Sequence, residues 1–131
     1  MSNLNLVLCI IHVVNHWILG AIYTNLRKYI ILDSLCSNFE YGKKLITELL
    51  VELKLDNFIC SHEPKKIQQK DSINCGIYVI YYAISIINGI SIQTINENQI
   101  NILEKRREFY VGIQDIFSHS ENNWILTQNY L

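Results

Sequence analysis

The chain opens on short apolar runs broken by polar turn residues. Residues 5–13, 17–23 and 29–32 are rich in Ile, Val, Leu and Tyr and too short for helices, which predicts three β-strands. The period changes over 41–55, where Leu45, Leu49, Leu50 and Leu53 share one helical face and Lys43, Lys44, Glu48, Glu52 and Lys54 fall elsewhere. Residues 58–60 and 66–67, flanking the single proline Pro64, predict two short strands. Residues 76–90 are nearly unbroken apolar sequence and predict a helix buried at the centre of the fold. A second, amphipathic helix is predicted over 97–117, and 118–131 carry no clear pattern. Strands first and helices after indicate an α+β domain rather than alternating β-α units.

At 131 residues, 50% hydrophobic and 18% charged, the chain suffices for one packed domain over 1–131 and is too apolar for wholesale disorder. Lys plus Arg is 11 against 12 for Asp plus Glu. No positive field exists to hold a phosphate backbone, so a nucleic-acid partner is not expected. The short basic groups at Lys65 and Lys66 and at Lys105, Arg106 and Arg107 do not change that balance. Residues 4–14 lack a preceding Lys or Arg and a small-residue cleavage site, so they read as a strand and not as a signal peptide. The run at 76–90 falls short of the roughly 20 residues that span a bilayer, and no membrane contact is expected. Four cysteines are too few for a disulfide-stapled scaffold, and Cys9, Cys36 and Cys60 read as free thiols in a reducing, intracellular compartment. A zinc site from Cys60, His62 and Cys75 lacks any C-x2-C pair, so no metal and no cofactor is expected.

The candidate chemistry begins in the hairpin. With a turn centred on Thr24 and Asn25, paired positions sum to 49, and His16 then lies opposite Asp33. Opposed residues in such a pair sit about 4.5–5.5 Å apart at Cα. A carboxylate there accepts a hydrogen bond from one imidazole nitrogen and leaves the other free as a base. Cys75 stands where polar sequence gives way to the apolar helix. A thiol at a helix N-terminus faces the positive end of the macrodipole and unpaired N–H groups, which favour the thiolate. Gly76 presents no side chain to an approaching carbonyl, and Gln69, six positions before Cys75, offers an N–H donor to an oxyanion.

Three blocks carry a resemblance. Residues 15–22 read NHWILGAI, residues 31–35 read ILDSL, and residues 68–79 read QQKDSINCGIYV. Their order and spacing resemble the Ulp/sentrin-specific family of ubiquitin-like-protein cysteine proteases, over roughly 7–115, and Arg106 with Arg107 is a weaker shared feature. The resemblance implies a papain-like (adenain/Ulp-type) α+β fold, with a short mixed sheet packed on a central helix that carries the nucleophile. It implies Cys75 as nucleophile, His16 as general base, Asp33 as its orienter and Gln69 as oxyanion donor. Trp17 would wall a tunnel that admits only a Gly-Gly terminus. The implied partner is a ubiquitin-like protein of the SUMO type, met by a monomer in the nucleus or cytoplasm. Domains of this family ordinarily open with a further helical segment and a second tunnel Trp, so the resemblance is to an N-terminally truncated domain. Trp124 does not fill that role by position.

Blander and rival readings stay open at this point. His12 is an alternative base without a following Trp, Gln68 an alternative donor at a less favourable spacing, and Asp71 a loop residue near the helix start. Asp33 alone reads as a turn residue capping Ser34, and Trp17 as plain core. A viral or transposon-type polyprotein protease, an effector-type acetyltransferase forming an acyl-cysteine, and an inactive remnant that only binds a modifier share enough of these features to compete.

Overall fold

In a computed structural model the described residues are 6–62, 69, 73–97 and 100–119. The chain divides into two compact units, Met1–Gln99 and Ile100–Leu131. In the first, β1 (Leu6–Val13), β2 (His16–Tyr23), β3 (Lys28–Leu32) and β4 (Ile59–His62) form one sheet in that order. The first three are antiparallel neighbours, and β4 runs parallel to β3. A parallel neighbour requires a crossover, and α1 (Phe39–Glu52) supplies it. The unit is therefore α+β, as the pattern of runs predicts, and its sheet is small and mixed, as the resemblance implies.

Turn chemistry sets the registers. Val14 and Asn15 alone join β1 to β2, with Asn15 at φ 57, a left-handed value that Asn tolerates. His16 is consequently the first residue of β2. Between β2 and β3, Thr24–Leu26 wind into a 3-10 turn and Arg27 takes φ 50. Pairs there run Leu19↔Leu32 to Tyr23↔Lys28, so positions sum to 51 and not to the predicted 49. The correction is two residues. Because side chains alternate with period 2, every residue keeps its predicted face, and His16 and Asp33 become diagonal neighbours instead of opposed ones.

Both faces of the central strands β2 and β3 are buried. Ile11, Ile18, Ile22, Tyr29 and Ile31 form one core with Ile46 and Leu50 of α1. The helix lies close because Gly42 has no side chain, since a Cβ there would stand 2.9 Å from Ile18 Cδ1 and 3.1 Å from Ile31 Cγ2. The alternating residues Leu19, Ala21, Ile30 and Leu32 are equally buried. Against β2 packs α2 (Cys75–Ile87), with Tyr78, Val79, Tyr82 and Ile86 buried. Its other side, including Ile80, Ile84 and Ile87, is exposed, where the sequence predicts burial all round.

Helix ends follow local signals. α2 stops at Ile87 because Gly89 (φ 75) turns left-handed and the amides of Gly89 and Ile90 donate back to Ile86 and Ser85, both at 3.0 Å. A short α3 (Ile92–Glu97) follows, its start held by Ser91 Oγ accepting the Thr94 amide at 3.2 Å. In the second unit, α4 (Ile102–His119) starts where Asn101 Oδ1 accepts the Glu104 amide at 3.1 Å, so the helix predicted from residue 97 begins at Ile102 instead. The strand predicted at 66–67 and the tail from 120 lie outside the described residues. Among the described residues no helix is long and apolar enough to cross a membrane.

Candidate active site

Asp33 follows directly on β3 and is 2% exposed. Its carboxylate gathers four N–H donors. Oδ1 accepts from His16 Nε2 at 2.6 Å and from the Leu35 amide at 2.9 Å, and Oδ2 from the amides of Ser37 at 3.1 Å and Asn38 at 2.8 Å. The Cys36 amide closes a turn onto the Asp33 carbonyl at 3.1 Å, with Cys36 itself at φ 53. One side chain thus folds the loop leading into α1 and also receives the imidazole. An ionised carboxylate only accepts, so Nε2 of His16 carries the proton and Nδ1 is the basic nitrogen. His16 is 5% exposed, which isolates this pair from competing water.

The next residue makes a second junction. Ser34 Oγ donates to Gln69 Oε1 at 2.6 Å, and the Gln69 amide donates to the Ser34 carbonyl at 2.9 Å. Both side chains are buried. This double clasp ties the segment six residues ahead of Cys75 to the residue after Asp33.

Cys75 opens α2 and is buried on the same helical face as Tyr78, Val79, Tyr82 and Ile86. The amides of Ile77 and Tyr78 are the first to bond within the turn, onto the Asn74 carbonyl at 3.1 and 3.3 Å, so those of Cys75 and Gly76 lie ahead of the ladder. Around Gly76 there is room, since an added Cβ would meet nothing within 4 Å. Among the described residues no hydrogen bond joins the Cys75 thiol to His16. Contacts between nucleophile and base commonly tighten only when substrate binds. The helix runs beside the loop after β3: burial first, then Tyr78, Cys36, Asp33 and Tyr81, push the Tyr82 hydroxyl above the ordinary tyrosine range. Burial likewise raises the thiol of Cys9.

Trp17 is half-exposed and stacks against His12, its partner across β1 and β2, with ring centroids 4.4 Å apart and planes tilted by 38°. The structure therefore gives His12 a place beside the indole, apart from the His16–Asp33 pair. Among the described residues no group of three His, Cys, Asp or Glu side chains is arranged to hold a metal ion. A cavity of about 480 Å³ between Tyr29, Thr47, Leu50, Lys54 and Phe58 involves none of the candidate residues.

Sequence reasoning missed two partners. Ser34 stands inside one of the three blocks yet receives no role there, because a hydrogen bond across 35 positions leaves no mark in spacing. His12 facing Trp17 follows from the two-residue turn at Val14 and Asn15, a signal visible once that turn is placed. Residues 1–118 match the family described as the Ulp1 protease family, C-terminal catalytic domain. No curated protein and no solved structure matches the chain.

Proposed function

As a member of the Ulp1 protease family, a family of cysteine peptidases, to which the chain belongs over residues 1–118, we propose that it cleaves ubiquitin-like modifiers of the SUMO type after their C-terminal Gly-Gly. Precursors and conjugates both present that bond. The protein works as a monomer in the nucleus or cytoplasm, on a papain-like arrangement of sheet and central helix, and needs no cofactor.

The observation that carries this reading is the 2.6 Å bond from His16 Nε2 to Asp33 in a buried corner. It leaves Nδ1 to take the Cys75 proton. The thiolate then adds to the carbonyl carbon that follows Gly-Gly. The oxyanion is met by the Gln69 side-chain N–H and by amides at the head of α2, groups oriented before the reaction starts. Collapse expels the amine, which takes its proton from the His16 imidazolium, and leaves a thioester on Cys75. Water, deprotonated by the same imidazole, releases the modifier carboxylate and restores the thiol. Asp33 keeps the imidazole in one tautomer and stabilises its cation. Trp17 walls the path of the two glycines, and Gly76 leaves room for the carbonyl.

A panel of ubiquitin-like proteins bearing C-terminal electrophiles tests the proposal. One panel member forms a covalent adduct, and Cys75→Ala, still folded, forms none. Folded wild-type protein that forms no adduct with any member would overturn the reading.

A further inference from the structure

We infer that Ser34 is the positioning residue that aims the Gln69 carboxamide, an inference that rests on the protease reading above. A carboxamide has an accepting end and a donating end of nearly the same shape. Only its N–H end stabilises an oxyanion, so the side chain is useful in one of two orientations. Here the Ser34 hydroxyl donates to Oε1 at 2.6 Å, with Ser34 1% and Gln69 2% exposed, which leaves little room for water to substitute. Holding the oxygen turns the N–H end away from Ser34. The second clasp, from the Gln69 amide to the Ser34 carbonyl at 2.9 Å, is between main chains and survives a change of the Ser34 side chain. Removing the hydroxyl therefore takes away this hold on Oε1 without moving the Gln69 backbone, and the terminal torsion it acts on is intrinsically broad and roughly two-fold. Adjacent residues, Asp33 and Ser34, then serve the two halves of the site: one orients the base and the other orients the donor.

The test is kinetic and spectroscopic. With SUMO carrying a C-terminal 7-amido-4-methylcoumarin, Ser34→Ala lowers kcat about 10- to 100-fold, less than the roughly 100- to 1,000-fold expected on deleting an oxyanion donor, and leaves KM unchanged. The double variant Ser34→Ala/Gln69→Ala is no slower than Gln69→Ala, because Ser34 acts only through Gln69. Alkylation of Cys75 by iodoacetamide, which forms no oxyanion, keeps its wild-type rate in Ser34→Ala and reports a folded site. In 15N-labelled protein, the Gln69 side-chain amide gives two slowly exchanging resonances that shift and exchange faster in Ser34→Ala. Wild-type kcat in Ser34→Ala, losses that multiply in the double variant, or an unchanged Gln69 resonance would each overturn the inference. Absence of turnover in wild-type protein with the Gln69 resonance restrained would instead sink the protease reading.

Discussion

Around Asp33 the hydrogen bonds converge on a single carboxylate, whereas Cys75 sits at the head of a helix that packs its buried side on the sheet. The carboxylate closes four N–H contacts between 2.6 and 3.1 Å, and the adjoining Ser34 clasps Gln69 twice. Cys75, by contrast, takes its position from a helix whose buried side, Tyr78, Val79, Tyr82 and Ile86, packs with the sheet. The two halves therefore respond to different injuries. A single-atom change disturbs the base side, and a change in helix packing disturbs the thiol side.

The largest effect is expected on the base side. Asp33→Asn replaces one accepting oxygen by an N–H2 group that faces other donors, so at least one buried hydrogen bond is lost. Turnover falls about 10,000-fold through loss of the enforced tautomer, and stability falls by about 2–4 kcal/mol through unpaired donors around a buried charged group. Chemical denaturation alongside single-turnover kinetics checks both, and a fully stable variant would show that Asp33 does not brace the loop.

Packing on the thiol side has a signature in alkali. The folded state holds Tyr82 neutral above the pH at which a free tyrosine ionises, near 10. Above that pH the unfolded chain has released a proton that the folded chain retains, so stability declines with rising pH, by up to about 1.4 kcal/mol per pH unit for this residue. Below pH 10 Tyr82 contributes no slope. Denaturation midpoints measured from pH 8 to 11 fall more steeply for wild type than for Tyr82→Phe, and parallel curves would place the Tyr82 hydroxyl in water. A smaller effect is expected outside both halves: His12→Ala removes the stack on Trp17, worth about 0.5–1.5 kcal/mol, and raises KM roughly 2- to 10-fold at constant kcat. His12→Phe restores it, and a failure of that rescue would deny the stack its role.

The strands and both long helices of the first unit were legible because their apolar runs switch cleanly from short blocks to helical spacing. The hairpin register was not, since Thr24–Leu26 wind into a 3-10 turn and Arg27 accepts a left-handed φ of 50 that no glycine or asparagine advertises. That error was harmless to the site only because two residues is an even shift. α3 was invisible in the pattern, as six residues are too few for a period, although Ser91 and Asn101 do mark the two helix starts. Of the candidate site, His16, Asp33, Gln69 and Cys75 stood out through the three blocks that carry the family resemblance. The Ser34 clasp and the three loop amides on Asp33 did not, because main-chain donors carry no sequence signature. Neither did the choice of Nε2 over Nδ1, which depends on how the imidazole enters the loop.

Treatment with 1,3-dibromoacetone, followed by peptide mass spectrometry, asks most directly whether the two halves meet. The Cys75 thiolate displaces one bromide, and Nδ1 of a neighbouring imidazole displaces the other. The geometry proposed here predicts a three-carbon bridge between Cys75 and His16, abolished by Cys75→Ala and by His16→Ala. Cys75 alkylated without a bridge, or bridged to His12 instead, would contradict it.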